Sequence, residues 1–274
     1  MTLILLVLGV VTAVQAYVLQ GPHILELMLE EIGQTQSLRI TQKLIFYDTD
    51  TGEESAEVTE KVMYQFPDRY RSEIDSPDIQ HIHVVRGADS VTVTDRAITS
   101  NRESTTEFYK DLFLYNSRPM LTRRLLDLGV DVTVSSLGRF NGRIAYVVGA
   151  QYPDESVPQV WFDKNTFKPF RWILSSQAGQ LSLNTVEVRY LGWRKIEKIW
   201  YPGRIEFYRN EFLTKVILVE RIEVDPQLSA RDFNIDYLRA QYPRGGPILP
   251  ERYGNDDANE IRRTLENFNK IVEP

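Results

Sequence analysis

The chemistry open to this chain is narrow. It contains three histidines, His23, His81 and His83, and no cysteine. Disulfides, thiolate metal sites and a lipidated N-terminal cysteine are therefore excluded. His81 and His83 stand two apart in an alternating segment, which sends both rings to one face of a strand, where they could share a metal ion. No third ligand is evident beside them, and Ile82 and Val84 take the opposite, apolar phase. The pattern predicts two solvent-facing histidines, no metal and no cofactor. The chain has no Gly-x-Ser-x-Gly elbow, phosphate loop, dinucleotide fingerprint or His-Glu-x-x-His helix. The acid pairs Glu53/Glu54 and Asp256/Asp257 fall in turn and cap contexts, where carboxylates are expected without catalysis. These readings give no catalytic residue and a protein that is not an enzyme.

What remains is apolar surface, and its periodicity is that of strands. From Leu38 to Ile222 the pattern alternates, with one helical interruption between Glu107 and Gly129. Leu38, Ile40, Leu44 and Phe46 share a face of the first strand, and Val58, Val62, Tyr64 and Phe66 a face of the second. Short strands follow near Tyr70–Ile74, His81–Arg86 and Ser90–Thr94. After the helices come Val130–Phe140 and Arg143–Ala150 around the hairpin dipeptide Asn141-Gly142. Gln159–Phe162, Pro169–Ser176, Leu181–Tyr190, Gly203–Arg209 and Leu213–Val224 complete the run, with Phe170, Trp172 and Leu174 in one phase. Ten or eleven strands with one wet and one dry face predict an antiparallel sheet, strongly bent because so many strands do not stay flat. Glu60 and Glu220 interrupt the apolar phase and are expected at solvated strand ends.

Helices must cover the dry face. Pro22–Ile32 carries the stripe Leu25, Met28, Leu29 and Ile32, ending at Gly33. In the insertion, Phe108, Leu112 and Tyr115 share one face, and Met120, Leu121, Leu125 and Leu126 another. Beyond Tyr242, Pro243, Gly245, Gly246, Pro247 and Pro250 mark a linker. A last helix is expected to open at Asp257-Ala258-Asn259-Glu260, with Ile261, Leu265, Phe268 and Val272 on the face that docks on its own domain. The domain division is thus 1–16, 17–240 and 241–274.

Residues Met1–Ala16 are apolar, uncharged and end in a small-residue pattern, too short to span a ~30 Å hydrocarbon layer. They predict a secretory signal and a soluble exported chain. The absence of cysteine and of Asn-x-Ser/Thr sequons favours a bacterial periplasm. The formal charge is −6, with Lys and Arg dispersed among the acids, which argues against a nucleic-acid partner. The 14 Tyr, 12 Phe and 4 Trp fall largely on the dry face, as either packed core or the lining of a ligand groove.

Four segments, in this order, carry a resemblance to a known family: Ser37–Lys43 after the first helix, Phe66-Pro67-Asp68-Arg69-Tyr70-Arg71, Val84–Asp89, and Val160–Arg171. Over about Val18 to Tyr237 the chain resembles the periplasmic lipoprotein carrier LolA and its superfamily. The resemblance implies an unclosed β-barrel under short helices, whose concave face binds acyl chains of a lipoprotein or lipid in transit between membranes. It implies an inner-membrane exporter and an outer-membrane acceptor as partners, and a monomer. The cavity would be lined by Leu38, Ile40, Leu44, Phe46, Val62, Tyr64, Phe66, Val84, Val93, Leu112, Leu121, Leu125, Phe170, Trp172 and Leu174. In the well-studied carriers an Arg before the proline ending the second strand latches the lid. Here Phe66 stands there, so the lid is held differently or another machine loads the protein. The alternative is a lipid- or protein-sensing module of the cell envelope whose interior is filled by its own side chains.

Overall fold

The structure, a computed structural model, describes residues 18–77, 79–176 and 184–244. The expected signal segment and the expected tail helix lie outside the described residues. A first helix, α1 (Gly21–Ile32), precedes six strands: β1 (Ser37–Tyr47), β2 (Glu54–Gln65), β3 (Arg69–Asp75), β4 (Gln80–Arg86), β5 (Asp89–Thr94) and β6 (Ala97–Ser100). A 3-10 turn (Thr105–Lys110) then leads into α2 (Asp111–Leu114) and α3 (Arg118–Asp127). Seven further strands follow: β7 (Ser135–Phe140), β8 (Arg143–Val148), β9 (Gln159–Asp163), β10 (Pro169–Ser176), β11 (Asn184–Ile196), β12 (Ile199–Arg209) and β13 (Phe212–Val224). A second 3-10 turn (Ala230–Phe233) and α4 (Ile235–Gln241) end the described chain.

All 13 strands form one antiparallel sheet, open at both edges, in the order β6-β5-β4-β3-β2-β1-β13-β12-β11-β10-β9-β8-β7. Two hairpin meanders are joined at the centre, where β1 meets β13 with Leu44 opposite Ile217. This topology forces the helical insertion across a face. The chain leaves the sheet at one edge, β6, and re-enters at the other, β7, so the segment between them must traverse the whole width. It crosses on the side that carries the apolar residues of β1, β2 and β10–β13, and α1 packs beside it against α3, β12 and β8. Gly33 ends α1 with φ +84°, and a Cβ there would lie 2.3 Å from the Lys198 carbonyl oxygen. Only glycine allows that approach to the β11–β12 turn.

The structure has more strand than the alternation predicts. β6 is too short to show a period, β11 and β12 run on as a long hairpin to Ile196 and Ile199, and β7 begins at Ser135 rather than Val130. The expectation of one wet face also needs correction. On β4 and β5 the apolar phase points away from the helices: Val84, Val91 and Val93 join Ile98 in a second core sealed by Phe233, Ile235 and Leu238. This cover is tied down by Arg71 Nη1 donating to the Asp232 carbonyl at 3.1 Å and by a bidentate Arg239–Asp89 pair at 2.7 and 2.9 Å. A third small core, around Trp161, Ala145, Val147 and Phe170, lies on the outer side of β8–β10. Arg171 stacks 4.2 Å from the Phe140 ring and pairs with Glu155 and Glu187. Among the described residues no helix is long and apolar enough to cross a membrane.

Because Phe233 is almost wholly buried against β4 and β5, Phe233→Ala is expected to cost about 3 kcal/mol or more of folding stability. Urea unfolding measures it, and a loss of under ~1 kcal/mol would mean that α4 is not part of the core.

Candidate functional site

The inner face has two zones. One is apolar: Leu38, Ile40, Leu44, Phe46, Val62, Trp172 and Leu174 sit in the main core with Val188, Ile205, Phe207 and Ile217. Leu112, Leu121 and Leu125 close over this core from the lid, meaning the segment Thr105–Asp127, and all three are fully buried. Phe113 enters between three rings, 4.9 Å from Tyr201, 5.6 Å from Tyr190 and 6.0 Å from Trp193. Tyr64 lies in the same core, and Phe66, half-buried, stacks on it at 5.7 Å. Twelve of the fifteen residues expected to line the cavity are therefore brought together. Three are not. Val84 and Val93 belong to the outer core under α4. Phe170 also turns outward, because the β9–β10 register shifts between Pro169 and Arg171 and breaks its phase with Trp172.

The second zone is polar, and the sequence reading did not anticipate it. With the apolar phase of β4 and β5 facing out, the other phase faces in. It presents His81, His83, Ser90, Thr92 and Thr94 to the lid, all buried. The histidines are not solvent-facing: His83 is fully enclosed, with Nδ1 2.9 Å from Thr92 Oγ1, and His81 Nδ1 lies 3.3 Å from Thr94 Oγ1. Glu60 is not at a solvated end either. It is buried, and its carboxylate accepts a 2.5 Å hydrogen bond from Gln42 Nε2. Glu220 is exposed near Lys43. Tyrosine hydroxyls line the boundary between the zones: Tyr64 with Tyr201 at 3.2 Å, and Tyr70 with Tyr109 at 3.3 Å. Burial pushes all four hydroxyls well above their ordinary titration range.

On this zone the lid is held by charge. Lys110, wholly buried, reaches the Glu103 carboxylate, donates to the Glu107 carbonyl at 3.0 Å and lies 3.6 Å from Asp111. Arg124 Nε donates to Asp111 Oδ2 at 2.6 Å, and its Nη2 to Glu103 Oε2 at 2.7 Å. The turn is shaped by a capping box, in which the Glu107 side chain accepts from the Ser104 amide at 2.8 Å. Burial alone would lower Lys110, but Glu103, Asp111 and Glu107 outweigh it and hold the ammonium above its ordinary value. Glu103 is held below the usual carboxylate range: burial pushes it up, but Lys110, His83 and Arg124 together prevail. Asp111 is raised, chiefly by its own burial. Tyr190 adds a neutral tie, donating to the Tyr109 carbonyl at 2.9 Å. The sequence carried a trace of this clamp: Ser104-Thr105-Thr106-Glu107 has capping-box spacing, and Lys110-Asp111 interrupts an otherwise apolar turn.

The sheet and lid share their fold with solved structures of LolA-like proteins. A LolA superfamily protein from Nitrosomonas europaea superposes with a TM-score of 0.55 and 15% identity, over 80% of this chain and 99% of that one. An outer membrane lipoprotein-sorting protein domain from Vibrio parahaemolyticus gives 0.53 at 16% identity, over 80% of this chain and 97% of its own. A DUF1329 family protein from Desulfovibrio piger gives 0.54 at 16%, over 80% and 98%. No protein-family model matches the sequence, and no curated protein matches it.

Two expected outcomes follow. Lys110→Met leaves Glu103 and Asp111 short of a buried partner and should cost ~3–5 kcal/mol. Arg39→Ala, which breaks the half-buried surface pair Arg39–Glu223, should cost ~1 kcal/mol or less. Chemical denaturation of both variants checks the contrast, and equal losses would refute a clamp. Glu60 gives a pH dependence of definite sign. Burial raises its carboxyl in the folded chain, so the native state holds the proton more tightly and stability falls as pH climbs above the ordinary glutamate range. Glu60→Gln should flatten that fall and be more stable than the parent at neutral pH. A parent stability curve that rises through the same window would contradict it.

Proposed function

We propose that this protein is an exported carrier that holds the acyl chains of a lipoprotein or lipid between the inner face of its sheet and the lid, and moves them between membranes of the cell envelope. The observation that carries this reading is the apolar zone itself. A continuous wall of Leu38, Ile40, Leu44, Val62, Trp172 and Leu174 is roofed by Leu112, Leu121 and Leu125, side chains on a segment attached to the sheet only at its two edges. Acyl chains would take the place of those lid leucines rather than of sheet residues. An acyl chain of about sixteen carbons gains on the order of 10 kcal/mol on leaving water, at ~0.8 kcal/mol per CH₂, so binding rather than catalysis is what such a surface offers. The fold neighbour described as an outer membrane lipoprotein-sorting domain supports the same reading, and with it a periplasmic setting after removal of Met1–Ala16. An inner-membrane exporter and an outer-membrane acceptor would then load and unload the protein, which acts as a monomer.

A second reading is favoured by one fact. Leu38, Ile40, Leu44, Val62, Trp172 and Leu174 are each 5% exposed or less, as expected of a sensing module whose interior is filled by its own side chains. Val62→Trp separates the two. In a carrier, added bulk on this wall should cut displacement of a fluorescent fatty acid more than it lowers the melting temperature, since the lid can yield. In a filled core the same variant should lose ~1–3 kcal/mol through overpacking, in a protein that never bound the probe. Mass spectrometry of the parent purified from a native envelope gives the independent check: co-purifying lipid supports the carrier.

A further inference from the structure

The polar zone contains a cluster of metal-ligating side chains that overlaps the clamp. His83 on β4 and Glu103 and Glu107 on the lid each offer an atom lying within 4.8 Å of the others. The imidazole side chain is only 1% exposed. Its Nδ1 side is anchored, 2.9 Å from Thr92 Oγ1 and 3.2 Å from Glu107 Oε1. Its Nε2 is buried with no hydrogen-bond partner and looks toward Glu103 Oε1 at 3.8 Å. In the tautomer with the proton on Nδ1, the Nε2 lone pair faces the Glu103 carboxylate, and a cation between the two would satisfy both. Histidine metal ligands have this arrangement, with the second ring nitrogen fixed by an oxygen partner.

We propose that His83 through Nε2, Glu103, and Glu107 once its Oε1 turns from Nδ1 and leaves that nitrogen to Thr92, bind one divalent cation of the zinc and cobalt class, stapling the lid to strand β4. Imidazole nitrogen with carboxylate oxygen suits these ions. Metal–ligand bonds of about 2 Å put two ligand atoms roughly 3–3.5 Å apart, so the His83–Glu103 pair has only a few tenths of an ångström to close. Charge favours uptake. In ordinary charge states Glu103, Glu107 and Asp111 exceed Lys110 and Arg124 by one negative charge, in a site shielded from water. Lys110 is the competitor, because it shares Glu103 Oε1. It can cede that oxygen and keep the Glu107 carbonyl and Asp111, while Arg124 continues to hold Glu103 Oε2. His81, the partner that spacing suggests for His83, is not in the set; the other ligands come from a segment some twenty residues on in the chain. The staple does not depend on what the apolar zone carries.

The test is titration of chelator-stripped full-length protein with Co²⁺ and Zn²⁺, followed by calorimetry, by the visible spectrum of Co²⁺ and by thermal melting. The expected result is one equivalent bound, visible bands of a low-coordinate cobalt site and a higher melting temperature. His83→Gln should abolish all three, and Glu107→Gln should weaken affinity roughly tenfold or more. Should the His83 variant fail to fold, the Glu107 variant and the parent's cobalt spectrum decide. No uptake by the parent, or uptake that both variants retain, as binding at the exposed His23 would give, overturns the proposal.

Discussion

Charge buried between the lid and the sheet is the constraint on which this molecule is built. Lys110 and Asp111 are fully buried, and neither can be left alone in a medium of low dielectric. Each therefore fixes its neighbours: Lys110 requires Glu103 and the Glu107 carbonyl, and Asp111 requires Arg124, which in turn holds Glu103. These groups come from the approach to the lid, from the 3-10 turn and from two helices, so their mutual satisfaction sets the shape of the lid, while His83, Tyr70 and Tyr190 tie that shape to the sheet. Apolar packing of Leu112, Leu121 and Leu125 would tolerate a change in how the lid's turn and helices are arranged; a closed set of ion pairs does not. Such sets tend to fix one arrangement rather than add net stability. This device stands where the resemblance led one to look for an arginine before Pro67. Phe66 there stacks on Tyr64 instead, and the latch is carried by the lid's own residues.

Topology explains why a lid exists. Because β1 pairs with β13, the two meanders meet in mid-sheet and their free edges are left far apart. The connection from β6 to β7 has to cover the distance, and crossing the helix-bearing side buries the apolar phase of the central strands. The antiparallel sheet, the single helical insertion, α1 and the Asn141-Gly142 hairpin were legible in the sequence, since each rests on local periodicity or turn chemistry. That twelve of the fifteen expected lining residues share one core was legible for the same reason.

What was not legible depends on partners distant in the chain. Alternation states that two faces differ, not which one faces the lid. Val84 and Val93 look like inner residues until α4 is known to lie behind them, and α4 is a seven-residue helix with too short a period to announce itself. Once the valines turn outward, His81, His83, Thr92 and Thr94 must turn inward, so one misassigned helix inverts the chemistry of two strands. Phe170 fails for a more local reason, a register shift that moves one residue across the sheet while Trp172 and Leu174 stay in phase. Glu60 was placed in water because a lone carboxylate on an apolar phase usually is; its partner Gln42, across the β1–β2 pair, takes the opposite expectation with it.

The two zones divide the work of a lid on the proposed reading. The apolar zone offers an acyl chain a gain on the order of 10 kcal/mol, but that gain replaces contacts the lid leucines already make, so the difference between closed and loaded forms is much smaller. The polar zone offers an acyl chain nothing, and its ion pairs, close to the sheet edge from which the lid departs, are not in competition with cargo. An arriving chain would therefore lift Leu112, Leu121 and Leu125 together with their neighbours Asp111 and Arg124, the ion pairs holding the lid together as one body. Affinity for the chain would then be set by leucine contacts, and the constant shape of the lid by charge.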